Sequence, residues 1–79
     1  MRATVWSKTS CPYCRMAEEE LTKRGFSLHI KYIGEHGITK QDLLNVVPDA
    51  RTVPQIFIED VHIGGYTELM KYFTSEQNQ

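Results

Sequence analysis

The chain has 79 residues, 41% of them hydrophobic and 24% charged, with a formal net charge of -1. That balance is the one expected of a single small globular domain spanning residues 1–79, and it argues against a nucleic-acid binder, which carries a basic stripe. No apolar run approaches the roughly 18 residues of a membrane span. The start, MRATVWSKT, has no apolar signal-peptide region, so the expectation is a cytoplasmic protein with its thiols in a reducing compartment.

The first element is a strand over Ala3–Ser7, short, partly β-branched and aromatic. A helix follows from Pro12, where a missing N–H costs nothing at the first helical position. Tyr13, Ala17 and Leu21 recur along it at helical spacing, and Gly25 is placed to end it. Phe26–Ile33 alternates apolar and polar residues and reads as a second strand, after which Gly34–Gly37 form a loop. Thr39 is a good N-cap for a second helix. Asp42 stands three residues on, Ile38 can staple to Leu43, and Leu43, Leu44 and Val47 make its buried face before Pro48 and Asp49 end it.

Pro54–Glu59 and Val61–Gly64 read as a third and a fourth strand, joined at Glu59–Asp60 in a tight antiparallel hairpin. Thr67 can cap a last helix through Phe73, leaving Thr74–Gln79 as a polar tail. The order is β-α-β-α-β-β-α. The first βαβ unit requires parallel strands, so the fold class is α/β, with a four-stranded mixed sheet and three helices.

The chemistry lies in SCPYC, Ser10–Cys14, which holds the only two cysteines of the chain. Cys-x-x-Cys between a strand and a helix is a redox motif. With Pro12 as first helical residue, Cys11 is the N-cap and Cys14 the third helical residue. The Cys11 sulfur can then accept hydrogen bonds from the free N–H groups of Tyr13 and Cys14, and the helix presents about half a positive charge there. Both effects favour a thiolate, with Lys8 and Arg15 nearby in sequence. Cys11 is therefore the expected nucleophile, and Cys14, one turn inward beside Ala17 and Leu21, the resolving thiol. A zinc site needs four ligands, and His29, His36 and His62 show no paired ligand spacing, so no metal is expected. Glu18–Glu20 read as a solvated helix face, and His62 as an outward residue without chemistry.

CPYC, then TVPQIFI (Thr52–Ile58), then HIGGYTE (His62–Glu68) resemble, in order, the motifs of the dithiol glutaredoxins. GITKQDL (Gly37–Leu43) looks like the small bacterial members that serve ribonucleotide reductase. The resemblance runs from Thr4 to Phe73. It implies a thioredoxin fold, glutathione as co-substrate, and disulfide-bearing or glutathionylated proteins as partners. It also implies a monomer and a cis peptide before Pro54, which would expose the Val53 N–H and C=O to the glutathione backbone like an added strand.

Glutathione carries two carboxylates and one ammonium. Lys8 and Arg51 suit the glycyl carboxylate, with Thr52, Val53 and Pro54 supplying the backbone edge. At the start of the last helix the N–H groups around Thr67 and Glu68, with the Thr67 hydroxyl, suit the γ-glutamyl carboxylate; Gly64 and Gly65 let the backbone approach closely, and Tyr66 is counted among the binding residues. Glu68, where the family more often has Asp, suits the ammonium, and Tyr13 packs against the ligand. Two alternatives stand beside this reading. One is a redoxin of the same fold fed by thioredoxin reductase. The other is a dimer holding an iron–sulfur cluster on two Cys11 thiolates and two glutathiones, which Pro12 disfavours by stiffening the loop.

Overall fold

The structure, a computed structural model, describes residues 1–77. Seven elements follow in the order β1 (Arg2–Ser7), α1 (Pro12–Lys23), β2 (Ser27–Tyr32), α2 (Lys40–Val46), β3 (Gln55–Ile58), β4 (Val61–Gly64) and α3 (Tyr66–Gln77). The sheet order is β2-β1-β3-β4. β1 runs parallel to β2 and antiparallel to β3, which pairs antiparallel with β4. This is the thioredoxin fold, with the mixed sheet and three helices that the pattern predicts.

Alternation along β1 divides the core in two. Ala3 and Val5 face α1 and α3, and pack with Ala17, Leu21, Ile56, Ile58, Leu69 and Phe73. Trp6 faces the other way and packs with Leu43 and Val47 around α2, bordered by Ile33, Ile38, Ala50, Val53 and Phe57. Helices thus cover both faces of the sheet, two on one and one on the other. No buried side-chain nitrogen or oxygen among the described residues lacks a hydrogen-bond partner. No helix among them is long and apolar enough to cross a membrane.

The helix ends follow local rules. Gly25 has φ +85° after the α1 C-cap Arg24, the left-handed position that glycine occupies without penalty. At α2 the Thr39 hydroxyl accepts the Asp42 N–H at 3.1 Å while the Asp42 carboxylate accepts the Thr39 N–H at 2.8 Å, a complete capping box. Ile38 and Leu43 join the same cluster, as the staple requires.

Three expectations are corrected. Leu44 is only half-buried, so Leu43 and Val47 carry the α2 contact. α3 begins at Tyr66, not after Thr67: the Gly65 carbonyl accepts the Leu69 N–H at 3.0 Å, which makes Gly65 the N-cap and Thr67 the second helical residue. α3 also continues past Phe73 to Gln77. Polar Thr74 remains helical, with its hydroxyl donating to the Met70 carbonyl at 3.0 Å. Asn78 and Gln79, the end of the expected polar tail, lie outside the described residues.

Candidate active site

The two thiols sit at the start of α1, where β1 delivers the chain. Cys11 is the N-cap, with extended φ -116° and ψ 106°, and Pro12 opens the helix. The Cys11 sulfur accepts the Cys14 N–H at 3.3 Å, and its carbonyl accepts the Arg15 N–H at 3.2 Å. A sulfur bearing negative charge at this point is met by a free backbone donor and by the positive end of the helix. Of the two expected donors, Cys14 supplies the bond.

Both cysteines are free thiols, Cys11 half-buried and Cys14 fully buried. Burial pushes the Cys14 thiol up to about 11, and the Cys11 sulfur adds to that. The Lys8 backbone and the Ser7 hydroxyl pull the other way. The pair is therefore asymmetric: one sulfur open to substrate under a helix dipole, the other held as a neutral thiol in the interior.

The Val53–Pro54 loop faces Cys11. Its peptide bond is cis, and the Cys11 thiol donates to the Val53 carbonyl at 3.7 Å. Gln55, buried at the start of β3, steadies this loop. Its amide nitrogen donates to the Thr52 carbonyl at 2.9 Å, and its amide oxygen lies 2.8 Å from His62 Nε2. His62 also meets the Phe57 ring in a tilted contact, with ring centres 5.1 Å apart. The expected outward, exposed His62 is thus a support for the loop through Gln55. Sequence spacing offers no sign of this, because the contact spans the β3–β4 hairpin.

The expected binding residues fall into two groups. Lys8, Arg51, Thr52 and Val53 line one narrow cavity, floored by Ile33, Leu43 and Ala50, and Lys40 joins them. Lys40 was missed because only the tertiary fold brings the first turn of α2 beside the end of β1. Arg15, expected with Lys8 to add to the charge favouring the Cys11 thiolate, lines an open groove between α1 and β2 with Glu18, Glu19 and Lys23.

The second group gathers at the start of α3. Exposed Tyr13 meets Tyr66 with ring centres 5.9 Å apart, and Tyr66 and Thr67 line an open cleft along α3. A Cβ placed on Gly65 would stand 3.5 Å from the Pro54 carbonyl oxygen, so the helix start abuts the cis-proline loop. The Glu68 carboxylate turns back to accept the Gly65 N–H at 2.9 Å, the reciprocal half of a capping box.

Glu18 also departs from expectation. It is not a purely solvated charge, since its Oε2 accepts the hydroxyl of fully buried Ser7 at 2.8 Å. Glu20 meets Arg24 at 2.9 Å, as a surface i,i+4 pair does. Among the described residues no three His, Cys, Asp or Glu side chains gather as a metal-ligand group.

Comparison with known proteins gives a consistent picture. The glutaredoxin family profile matches residues 3–63. Glutaredoxin 1 of Salmonella typhimurium is 40% identical over 74 residues, covering 86% of this chain and 85% of that protein. The solution structure of reduced Escherichia coli glutaredoxin superposes with a TM-score of 0.80 at 33% identity, covering 100% of both chains. A buckwheat glutaredoxin solved in complex with glutathione gives a TM-score of 0.81 at 27% identity, over 94% of this chain and 69% of that one.

Proposed function

Because this chain belongs to the glutaredoxin family of thiol–disulfide oxidoreductases, we propose that it draws its electrons from glutathione, with Cys11 as nucleophile and Cys14 as resolving thiol. The observation that carries this reading is the asymmetry of the pair. Cys11 stands half-buried at the α1 N-terminus facing the Val53 carbonyl, while Cys14, one turn on, is fully buried.

In the one-thiol route the Cys11 thiolate attacks the glutathione sulfur of a protein–glutathione mixed disulfide. The protein leaves as a thiolate and takes up a proton. A second glutathione thiolate then attacks the Cys11-bound glutathione, releasing oxidised glutathione and free Cys11. In the two-thiol route Cys11 attacks a protein disulfide, and the Cys14 thiolate breaks the resulting mixed disulfide. That step leaves Cys11–Cys14 oxidised and the protein reduced, and two glutathiones return the pair to thiols.

The two residue groups suit the two ends of glutathione. The buckwheat relative was solved with this tripeptide, which supports the assignment. Lys8, Lys40 and Arg51 offer three cations for the glycyl carboxylate beside Thr52. The Val53 backbone and Pro54 offer a strand-like edge for the central cysteine. Tyr66 and Thr67 offer first-turn N–H groups at the α3 N-terminus to the γ-glutamyl carboxylate, beside Gly65, with Tyr13 covering the ligand. The Glu68 Oε2 is available to the ammonium while Oε1 caps Gly65. The likeness of Gly37–Leu43 to small bacterial members makes ribonucleotide reductase the first protein substrate to try, with a monomeric cytoplasmic enzyme as the working picture.

Cys11→Ser is expected to abolish reduction of both substrate kinds. Cys14→Ser is expected to retain deglutathionylation and to lose reduction of protein disulfides. Turnover by the Cys11→Ser variant would overturn the assignment of roles.

A further inference from the structure

Ser7 and Glu18 are joined in a way that the reaction described so far does not use. Ser7 is the last residue of β1 and has no exposed surface. Its hydroxyl donates to Glu18 Oε2 at 2.8 Å. Glu18 lies four residues after Cys14, so both side chains project from one face of α1. The same Ser7 hydroxyl interacts with the Cys14 sulfur. A fully buried serine thus stands between a buried thiol and a half-buried carboxylate that reaches the surface groove.

A hydroxyl has one hydrogen and two lone pairs. With its hydrogen given to Glu18, Ser7 presents a lone pair to Cys14, which suits the thiol S–H. If the hydrogen turns to Cys14, it suits a thiolate. The two arrangements are the two ends of a proton transfer.

We propose that Ser7 and Glu18 form a proton relay for the resolving step, with Ser7 in contact with the Cys14 sulfur and Glu18 as the positioning residue that finally takes the proton. The proposal rests on Cys14 being the resolving thiol. As the step proceeds, the Cys14 proton passes to Ser7 Oγ and the Ser7 hydroxyl proton passes to Glu18 Oε2. Cys14 is then a thiolate receiving the Ser7 O–H, and Glu18 is neutral. The thiolate attacks the Cys11 sulfur, the Cys11–substrate disulfide bond breaks, and the substrate sulfur leaves with its electron pair. Cys11 and Cys14 are oxidised together and the substrate disulfide is reduced. Glu18 returns its proton to water in the groove.

The need for such a path follows from burial. A thiol held near 11 is ionised at pH 7 in only about one molecule in ten thousand. Other charged groups bear on the cluster. Cys11 faces Cys14 along α1, and Arg15, Glu19 and Lys23 share the groove with Glu18. From β2 and the following loop come Tyr32 and Glu35, and the phenol of Tyr32 is raised chiefly by the charge of Glu18. From the end of β1, the Lys8 backbone interacts with the Cys14 sulfur.

The test is a rapid-mixing experiment on the reduced full chain with an aromatic disulfide that releases one coloured thione per attack. The first release reports Cys11, and the second reports resolution by Cys14. Glu18→Gln and Ser7→Ala are each expected to slow the second release at pH 7 by about a hundredfold or more relative to the first, the scale of general acid–base catalysis. The slowed rate is expected to climb with pH toward the titration of Cys14 itself, more steeply than in the unaltered protein. A second release as fast as the unaltered protein's in both variants overturns the relay. So does an equal slowing of both releases, or an unchanged pH profile, since a merely structural role would give those results. Cys14→Ser separates the premise from the proposal: if that variant keeps its second release, the resolving role itself fails, and the relay with it.

Discussion

Two adjacent glycines at the start of α3 give a sharp test of how the second half of the site is built. Gly64, the last residue of β4, has φ +120°, and a Cβ added there would stand 2.9 Å from both Cβ and Cγ of Glu68. Holding an L-residue in that region costs about 1–3 kcal/mol. Glu68 would have to move, giving up its bond to the Gly65 N–H, a further loss of about 0.5–1.5 kcal/mol. Gly64→Ala should therefore destabilise the protein by about 2–4 kcal/mol, a large share of a small domain's stability. Gly65→Ala meets only the flexible Oε1 of Glu68 at 3.3 Å and the Pro54 carbonyl oxygen at 3.5 Å, without a positive φ. Its expected cost is below about 1 kcal/mol. Urea unfolding of the two variants at equal slope compares the costs directly. Equal midpoints, or a midpoint for Gly64→Ala close to that of the unaltered protein, would refute the description of the β4–α3 junction.

Two further outcomes follow from the site. Lys40→Ala should raise the KM for glutathione by about two- to fivefold with little change in kcat, the scale of one exposed charge pair; an unchanged KM would remove Lys40 from the cation group. The Cys14 thiol gives a pH dependence of stability. Its folded value, about 11, lies above its ordinary 9.0, so the folded state holds that proton more tightly. This contribution is fully present below about pH 9 and is lost as the pH rises toward about 11. The reduced protein should lose stability across that window more steeply than Cys14→Ser, in denaturant melts at stepped pH. Parallel curves would show that Cys14 is not a buried neutral thiol.

What the sequence makes legible is local. The capping box of Thr39 and Asp42, the proline that opens α1 and the glycine that closes it each depend on residues within one turn. Alternation fixes which face of β1 meets α1 and α3. The placement of Cys11 and Cys14 follows from the same helix-start rules. What escapes is carried by contacts between elements. Ser7 and Glu18 lie 11 residues apart and meet only when α1 packs on the sheet, so a run of three glutamates looks merely solvated. Lys40 reaches the Lys8 and Arg51 cavity only through the placement of α2. The start of α3 is misread by two residues because Thr67 is a better cap by type than Gly65, yet Glu68 reaching back to Gly65 lets the glycine serve.

The central claim is that glutathione supplies the electrons. The direct measurement is turnover of a glutathionylated substrate with NADPH, comparing glutathione plus glutathione reductase against thioredoxin reductase alone. Turnover that requires glutathione is the predicted result. Turnover sustained by thioredoxin reductase without glutathione would contradict it, leaving the Cys11 chemistry in place and removing the glutathione site from Lys8, Val53, Thr67 and Glu68.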